Sequence, residues 1–182
     1  MKKTALFLLL LLNIFSCNPV KNKKVDQATI SFQTDDSSKL FFKNVRKNYY
    51  NLEILDEAKL EIYRFKDRVL DEKTPILNLS IVNNWRYDEA YIMLEPNSAI
   101  GSLIDLRIEW RDSENNHGEL NFEGRNKTDQ LLFAAKIYEQ IQNGSKFWIK
   151  KEGQTLPILH DTKSREAFRI TMFDFLRLVR SL

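Results

Sequence analysis

In the second half of the chain, apolar and polar residues alternate. Over residues 103–110, Ile104, Leu106, Ile108 and Trp110 fall on one side and Leu103, Asp105, Arg107 and Glu109 on the other. A period of two sends successive side chains to opposite faces, so this spacing predicts a strand with the Ile104–Trp110 side buried. Residues 113–118 form a polar turn, and 119–123 return as a second strand with Leu120 and Phe122 inward. Upstream, 76–82 and 89–94 read as another hairpin turned at Asn83-Asn84 and stopped by Glu95-Pro96-Asn97. A third pair, 146–150 and 154–159, flanks Glu152-Gly153. Pro157 has no N–H for a ladder, which places its strand at an edge. Shorter strands are expected at 29–33, followed by a loop over 34–38, and at 168–170.

Helical periodicity takes over in two places. Leu131, Ala134, Ala135, Tyr138 and Ile141 form one stripe, which predicts a helix over 129–143. Thr128 suits its cap, Asp129 its positive end and Gly144 its left-handed exit. Met172, Phe175, Leu176 and Val179 mark a closing helix over 171–182, with Thr171 through Asp174 close to a capping box. Two stretches carry both periods. In 39–50, Phe42, Val45, Tyr49 and, just beyond, Leu52 recur at helical spacing, yet Leu40-Phe41-Phe42 suits a strand equally well. In 56–69, Ala58, Ile62, Phe65 and Val69 mark a helix face, while Leu60 and Ile62 alternate with Lys59, Glu61 and Tyr63. The lack of Gly and Pro, with acids leading bases, favours an additional helix there. The expected class is α+β: a mostly antiparallel sheet or sandwich with the long helix and the C-terminal helix packed on it.

The N-terminus has a different pattern. Lys2 and Lys3 precede an apolar run over 5–12, then Ile14-Phe15-Ser16-Cys17. A basic head, a short apolar stretch and a small residue before a cut are the parts of an export signal. The run is shorter than the roughly 20 apolar residues a bilayer span requires. Ile14, Ser16 and Cys17, the only cysteine, resemble the lipobox of bacterial lipoproteins. That resemblance implies removal of residues 1–16 and a diacylglyceryl group with palmitate-type chains on the Cys17 sulfur. It also implies a mature protein lipid-anchored in the cell envelope. Asn18 in place of aspartate points to the outer membrane. Residues 17–27 then form a tether reaching up to roughly 35 Å at about 3.3 Å per residue, and 28–182 form a single globular domain.

Charge and motifs narrow the function. The formal charge of +3 falls to +1 once Lys2 and Lys3 are removed, too little for a nucleic-acid partner. Lys21, Lys23 and Lys24 suit a solvated tether, with contact to anionic lipid as the alternative. The five glycines stand singly, so no phosphate loop and no nucleotide is expected. His117 and His160 are the only histidines. Neither sits in a metal motif, and no metal or cofactor is expected. There is no G-x-S-x-G and no S-x-x-K motif. Asp88, Glu89, Glu95, Asp105 and Glu109 could serve glycan hydrolysis only if two of them flank a cleft. Asp105 and Glu109 with Arg107 instead suit a charge ladder.

Recognition is better supplied. Trp85, Arg86 and Tyr87 lie in a connection between strands, and they are residue types favoured at binding hot spots. Trp85 folding back over the core edge is the competing arrangement. Trp148 alternates with Phe147 and Ile149 and belongs either to an exposed contact face or under the last helix, whereas Trp110 reads as core. The expectation is a non-catalytic envelope interaction module for another envelope protein or a glycan. The alternative is an envelope hydrolase acting on peptidoglycan or polysaccharide through carboxylates.

Overall fold

The computed structural model describes residues 31–181 apart from 105 and 125. The signal segment 1–16, Cys17 with its tether, and residues 29 and 30 of the first expected strand lie outside the described residues.

The Asp35 carboxylate accepts the Ser38 N–H at 2.9 Å and starts helix α1 (Asp36–Phe41) where a loop was expected. A π turn (Phe42–Arg46) and a 3-10 turn (Lys47–Tyr49) follow before strand β1 (Tyr50–Leu55). The ambiguous stretch 39–50 is therefore helical up to Tyr49. Residue 33 forms a single bridge to Glu89 rather than a strand.

The helix expected at 56–69 is not formed; strand β2 (Leu60–Phe65) runs there. Leu55 pairs with Leu60, which leaves Asp56 to Lys59 as a turn. β2 bonds β1 on one side and β3 (Leu77–Asn84) on the other. Tyr63 and Phe65 are buried in the main core and Ile62 on the opposite face, which only a period of two allows. Helix propensity is a weak preference, and pairing on both sides overrides it.

β4 (Glu89–Pro96) completes a meander in the order β1-β2-β3-β4. Asn83 and Asn84 belong to β3, so the β3–β4 turn falls on Trp85 to Asp88 instead. The second sheet has the order β6-β5-β7-β8, built from β5 (Arg107–Arg111), β6 (His117–Asn121), β7 (Lys146–Lys151) and β8 (Gln154–Ile158). β8, with Pro157, is an edge as expected. β5 starts at Arg107 because the Leu106 N–H turns back to the Leu103 carbonyl at 3.1 Å. Ile104 is consequently 63% exposed, whereas Ile108 is fully buried. Trp110 is half-buried rather than core, and its indole lies across the Gly118 backbone, 2.9 Å from where a Cβ would sit. Gly118→Val displaces that ring and costs about 1–3 kcal/mol in urea unfolding, with a shifted tryptophan emission. Unchanged emission and midpoint would show that the ring has room to spare.

Helix α2 (Lys127–Gln142) is capped by Asn126 rather than Thr128. The Asn126 Oδ1 accepts the Asp129 N–H at 3.0 Å, and the Asp129 carboxylate reaches back. It ends at Gly144, φ +74°, with Ser145 N–H on the Gln140 carbonyl and Gly144 N–H on that of Ile141. Helix α3 (Thr162–Leu178) absorbs the strand expected at 168–170. Asp161 caps it. Thr171, expected at its start, lies mid-helix and donates its hydroxyl to the Ala167 carbonyl at 2.8 Å. Buried Ser164, Ala167, Phe168, Thr171, Met172, Phe175 and Leu176 recur every three or four residues, so Phe168 and Ile170 fall inside one unbroken helical pattern.

The fold is α+β. α2 packs on β4, α3 on β3, and the two helices on each other. Ile108, Phe147, Ile149 and Ile158 of the second sheet share one buried cluster with Tyr63, Ile81 and Ile92 of the first. Among the described residues, no helix is long and apolar enough to cross a membrane.

Candidate functional site

The β1–β2 and β3–β4 turns lie side by side at one end of the first sheet, because Leu60 pairs with both Leu55 and Asn84. The Trp85 N–H donates to the Lys59 carbonyl at 3.2 Å, joining the two turns. Lys59 (φ 60°) and Asp88 (φ 53°) take left-handed conformations that close them. The Asn84 side chain accepts the Arg86 N–H at 3.2 Å, and its carbonyl the Tyr87 N–H at 3.3 Å. Local hydrogen bonds therefore hold Trp85, Arg86 and Tyr87 at the tip.

Their side chains face solvent. Trp85 is 44% and Tyr87 61% exposed, so neither ring is buried in the core. The Lys59 Nζ sits 4.9 Å from the Trp85 ring centroid, and the Arg86 guanidinium lies 5.6 Å from that of Tyr87. Each aromatic thus carries a cation on its face. Ile54 and Leu55, at the end of β1, are also exposed. Neither they nor Lys59 stood out in sequence, because the helix expected over 56–69 concealed the second turn. Asp-Glu-Ala-Lys between two alternating apolar runs is the signal that marks it.

Ion pairs brace the base of this end. The Asp88 carboxylate accepts from Lys39 Nζ at 2.8 Å, and its carbonyl accepts both the N–H and the hydroxyl of Thr34. Lys127 reaches Glu89 at 2.7 Å. The hydrogen bonds to Asp88 and Asp36 hold Lys39 above its ordinary pKa.

Trp148 is not part of this cluster. It is half-buried in β7, on the face away from Phe147 and Ile149, in register with Glu109 and Pro157. It is therefore not under the last helix, and it belongs to the other sheet.

A cleft of about 460 Å³ opens on the second sheet, lined by Ile100, Leu106, Ile149, Glu109, Glu119 and Lys150. Glu109 and Glu119 are directly opposed across β5 and β6, and Lys150 binds Glu109 at 2.5 Å. Arg107 and Glu109 share one face of β5, where the cross-strand charge pairing expected there runs from Glu109 to Lys150, and Asp105 lies outside the described residues. Glu95 is bound to Arg64 at 2.6 Å. His117 and His160 are exposed, and among the described residues no group of three or more His, Cys, Asp or Glu could hold a metal.

One further polar cluster is buried. Asp174 on α3 accepts from Arg46 Nε at 2.8 and 2.9 Å and from the Tyr50 hydroxyl at 2.7 Å. Burial pushes the Asp174 carboxyl above the usual range, against the pull of Tyr50 and Arg46, and burial likewise raises the Tyr50 hydroxyl. With its carboxylate 2% exposed and bonded to Arg46 and Tyr50, Asp174 acts as a structural tie between α3, the π turn and β1.

No protein-family model matches this chain, and no curated protein or solved structure matches it.

Proposed function

We propose that this protein is a lipoprotein of the bacterial cell envelope, anchored through Cys17, that works as a non-catalytic binding module. Its contact surface is the paired-turn end of the first sheet. The observation that carries this reading is the exposure of Trp85 and Tyr87, each with a cation over its ring, on turns braced by hydrogen bonds. Large aromatics held rigidly in solvent add contact area at little cost in conformational entropy, and they dominate binding energetics where they occur. The anchor keeps this surface beside the membrane, where another envelope component meets it.

A photo-crosslinker placed at position 86 of the native chain in cells tests the reading, with exposed Lys136 on α2 as control. A dominant adduct from position 86, absent from position 136, is expected. Equal yields from the two positions would overturn it.

One observation favours a second reading, hydrolysis of envelope glycan. Glu109 and Glu119 stand side by side in the lining of one cleft, and glycosidases use two carboxylates flanking the scissile bond. The Lys150 ion pair on Glu109 opposes it, since it suits a cross-strand charge pair equally well. Glycan-cleaving activity lost in both Glu109→Gln and Glu119→Gln would favour it, and activity unchanged in either would sink it.

A further inference from the structure

We infer that the paired-turn end of the first sheet docks on the interfacial zone of the lipid bilayer itself, so that the protein is held by two attachments rather than one. This rests on the proposed role of that end as the contact surface and names its partner.

Phe32, Gln33 and Thr34 lie against the start of β4. The Ala90 N–H donates to the Phe32 carbonyl at 2.8 Å, Gln33 bridges Glu89, and the Thr34 N–H donates to the Asp88 carbonyl at 2.7 Å. Phe32 to Thr34 therefore lie beside the Trp85 turn, not at the other end of β4, about 23 Å away at 3.3 Å per residue. Cys17 lies fourteen residues before Ser31, a reach of at most about 45–50 Å. A lipid on Cys17 then keeps this end within that contour length of the bilayer, so docking there is intramolecular. A weak intrinsic affinity suffices under those conditions.

Trp and Tyr concentrate at headgroup depth because the ring is apolar and its edge is polar. Trp85 and Tyr87 project there, with the exposed aliphatics Ile54 and Leu55 beside them. Lys59 and Arg86 lie along the rings, placed to extend their charged heads toward water as the rings enter. The exposed acids Asp56 and Glu57 share the Lys59 turn and balance the two cations. Attachment is accordingly driven by aromatic insertion and not by anionic lipid.

The test is fluorescence of the native full-length protein reconstituted into phosphatidylcholine vesicles with brominated acyl chains, which quench only tryptophans at membrane depth. The chain has three tryptophans, so bromination is expected to remove roughly a third of the emission in wild type and none in Trp85→Phe. A Trp110→Phe/Trp148→Phe variant, left with Trp85 alone, is expected to lose most of its emission, which secures the result should Trp85→Phe not fold. Adding phosphatidylglycerol or raising the salt concentration should change little. Equal quenching in wild type and Trp85→Phe, or quenching only with anionic lipid, overturns the inference. If Trp85 is not quenched while position 86 still gives a protein or glycan adduct in cells, the lipid partner fails and the contact surface stands. If neither appears, both fail.

Discussion

Replacing Asp174 with alanine destabilises the protein by about 3–5 kcal/mol at neutral pH, read from urea unfolding, because it leaves a buried charge network without its centre. Asp174 is 2% exposed and ties three elements together: its own helix α3, the π turn through Arg46, and the start of β1 through Tyr50. Without the carboxylate, a buried tyrosine hydroxyl and a largely buried guanidinium lose their acceptor. An orphaned donor costs more than a missing pair, so Tyr50→Phe should recover about 1 kcal/mol in the Asp174→Ala background. The pH dependence has a definite sign. Burial raises the folded carboxyl above its ordinary 3.8, so between that value and the raised one the folded chain holds a proton that the unfolded chain releases. Stability from this group is greatest below pH 3.8 and falls as pH rises through the window. The gap between wild type and Asp174→Ala should narrow accordingly. A loss under about 1 kcal/mol at neutral pH would show that the cluster ties nothing.

Tyr63→Ala costs about 3–5 kcal/mol by the same measurement, the usual range for emptying a large aromatic site in a core. Tyr63 is 1% exposed in the middle of β2, with its ring edge-on to Phe42 at 5.0 Å and to Tyr50 at 6.4 Å. Its hydroxyl donates to Glu61 at 2.9 Å, and Asn83 shares that carboxylate at 2.8 Å. Tyr63→Phe keeps the ring and should lose only about 1 kcal/mol. Tyr63 touches Tyr50, which donates to Asp174, so the Tyr63→Ala and Asp174→Ala losses should not add. If the two are additive, the aromatic cluster and the Asp174 tie are independent.

The same paired turns that give the contact surface show where sequence patterns lose resolution. Trp85, Arg86 and Tyr87 were legible because a Trp-Arg-Tyr run between two apolar strands is conspicuous in composition. Lys59 was not, since its place beside Trp85 depends on Leu60 pairing with both Leu55 and Asn84. Trp148 was legible as facing away from Phe147 and Ile149, but its membership of the second sheet follows from strand order. The opposition of Glu109 and Glu119 arises from register, and a shift by one residue would remove it.

By itself, the chain determined the α+β class, the β3–β4 and β7–β8 pairs, the edge position of Pro157 and the stripe of α2. Each rests on a local period or a single residue's chemistry, which needs no partner to be read. Only the tertiary structure decided that 60–65 is a strand and 168–170 is helix. The first carries apolar residues at both spacings, and the second is too short to show which it follows. In both, the winner is the conformation whose buried side meets the rest of the core. Tyr63 and Phe168 are buried in it only as residues of a strand and of a helix respectively.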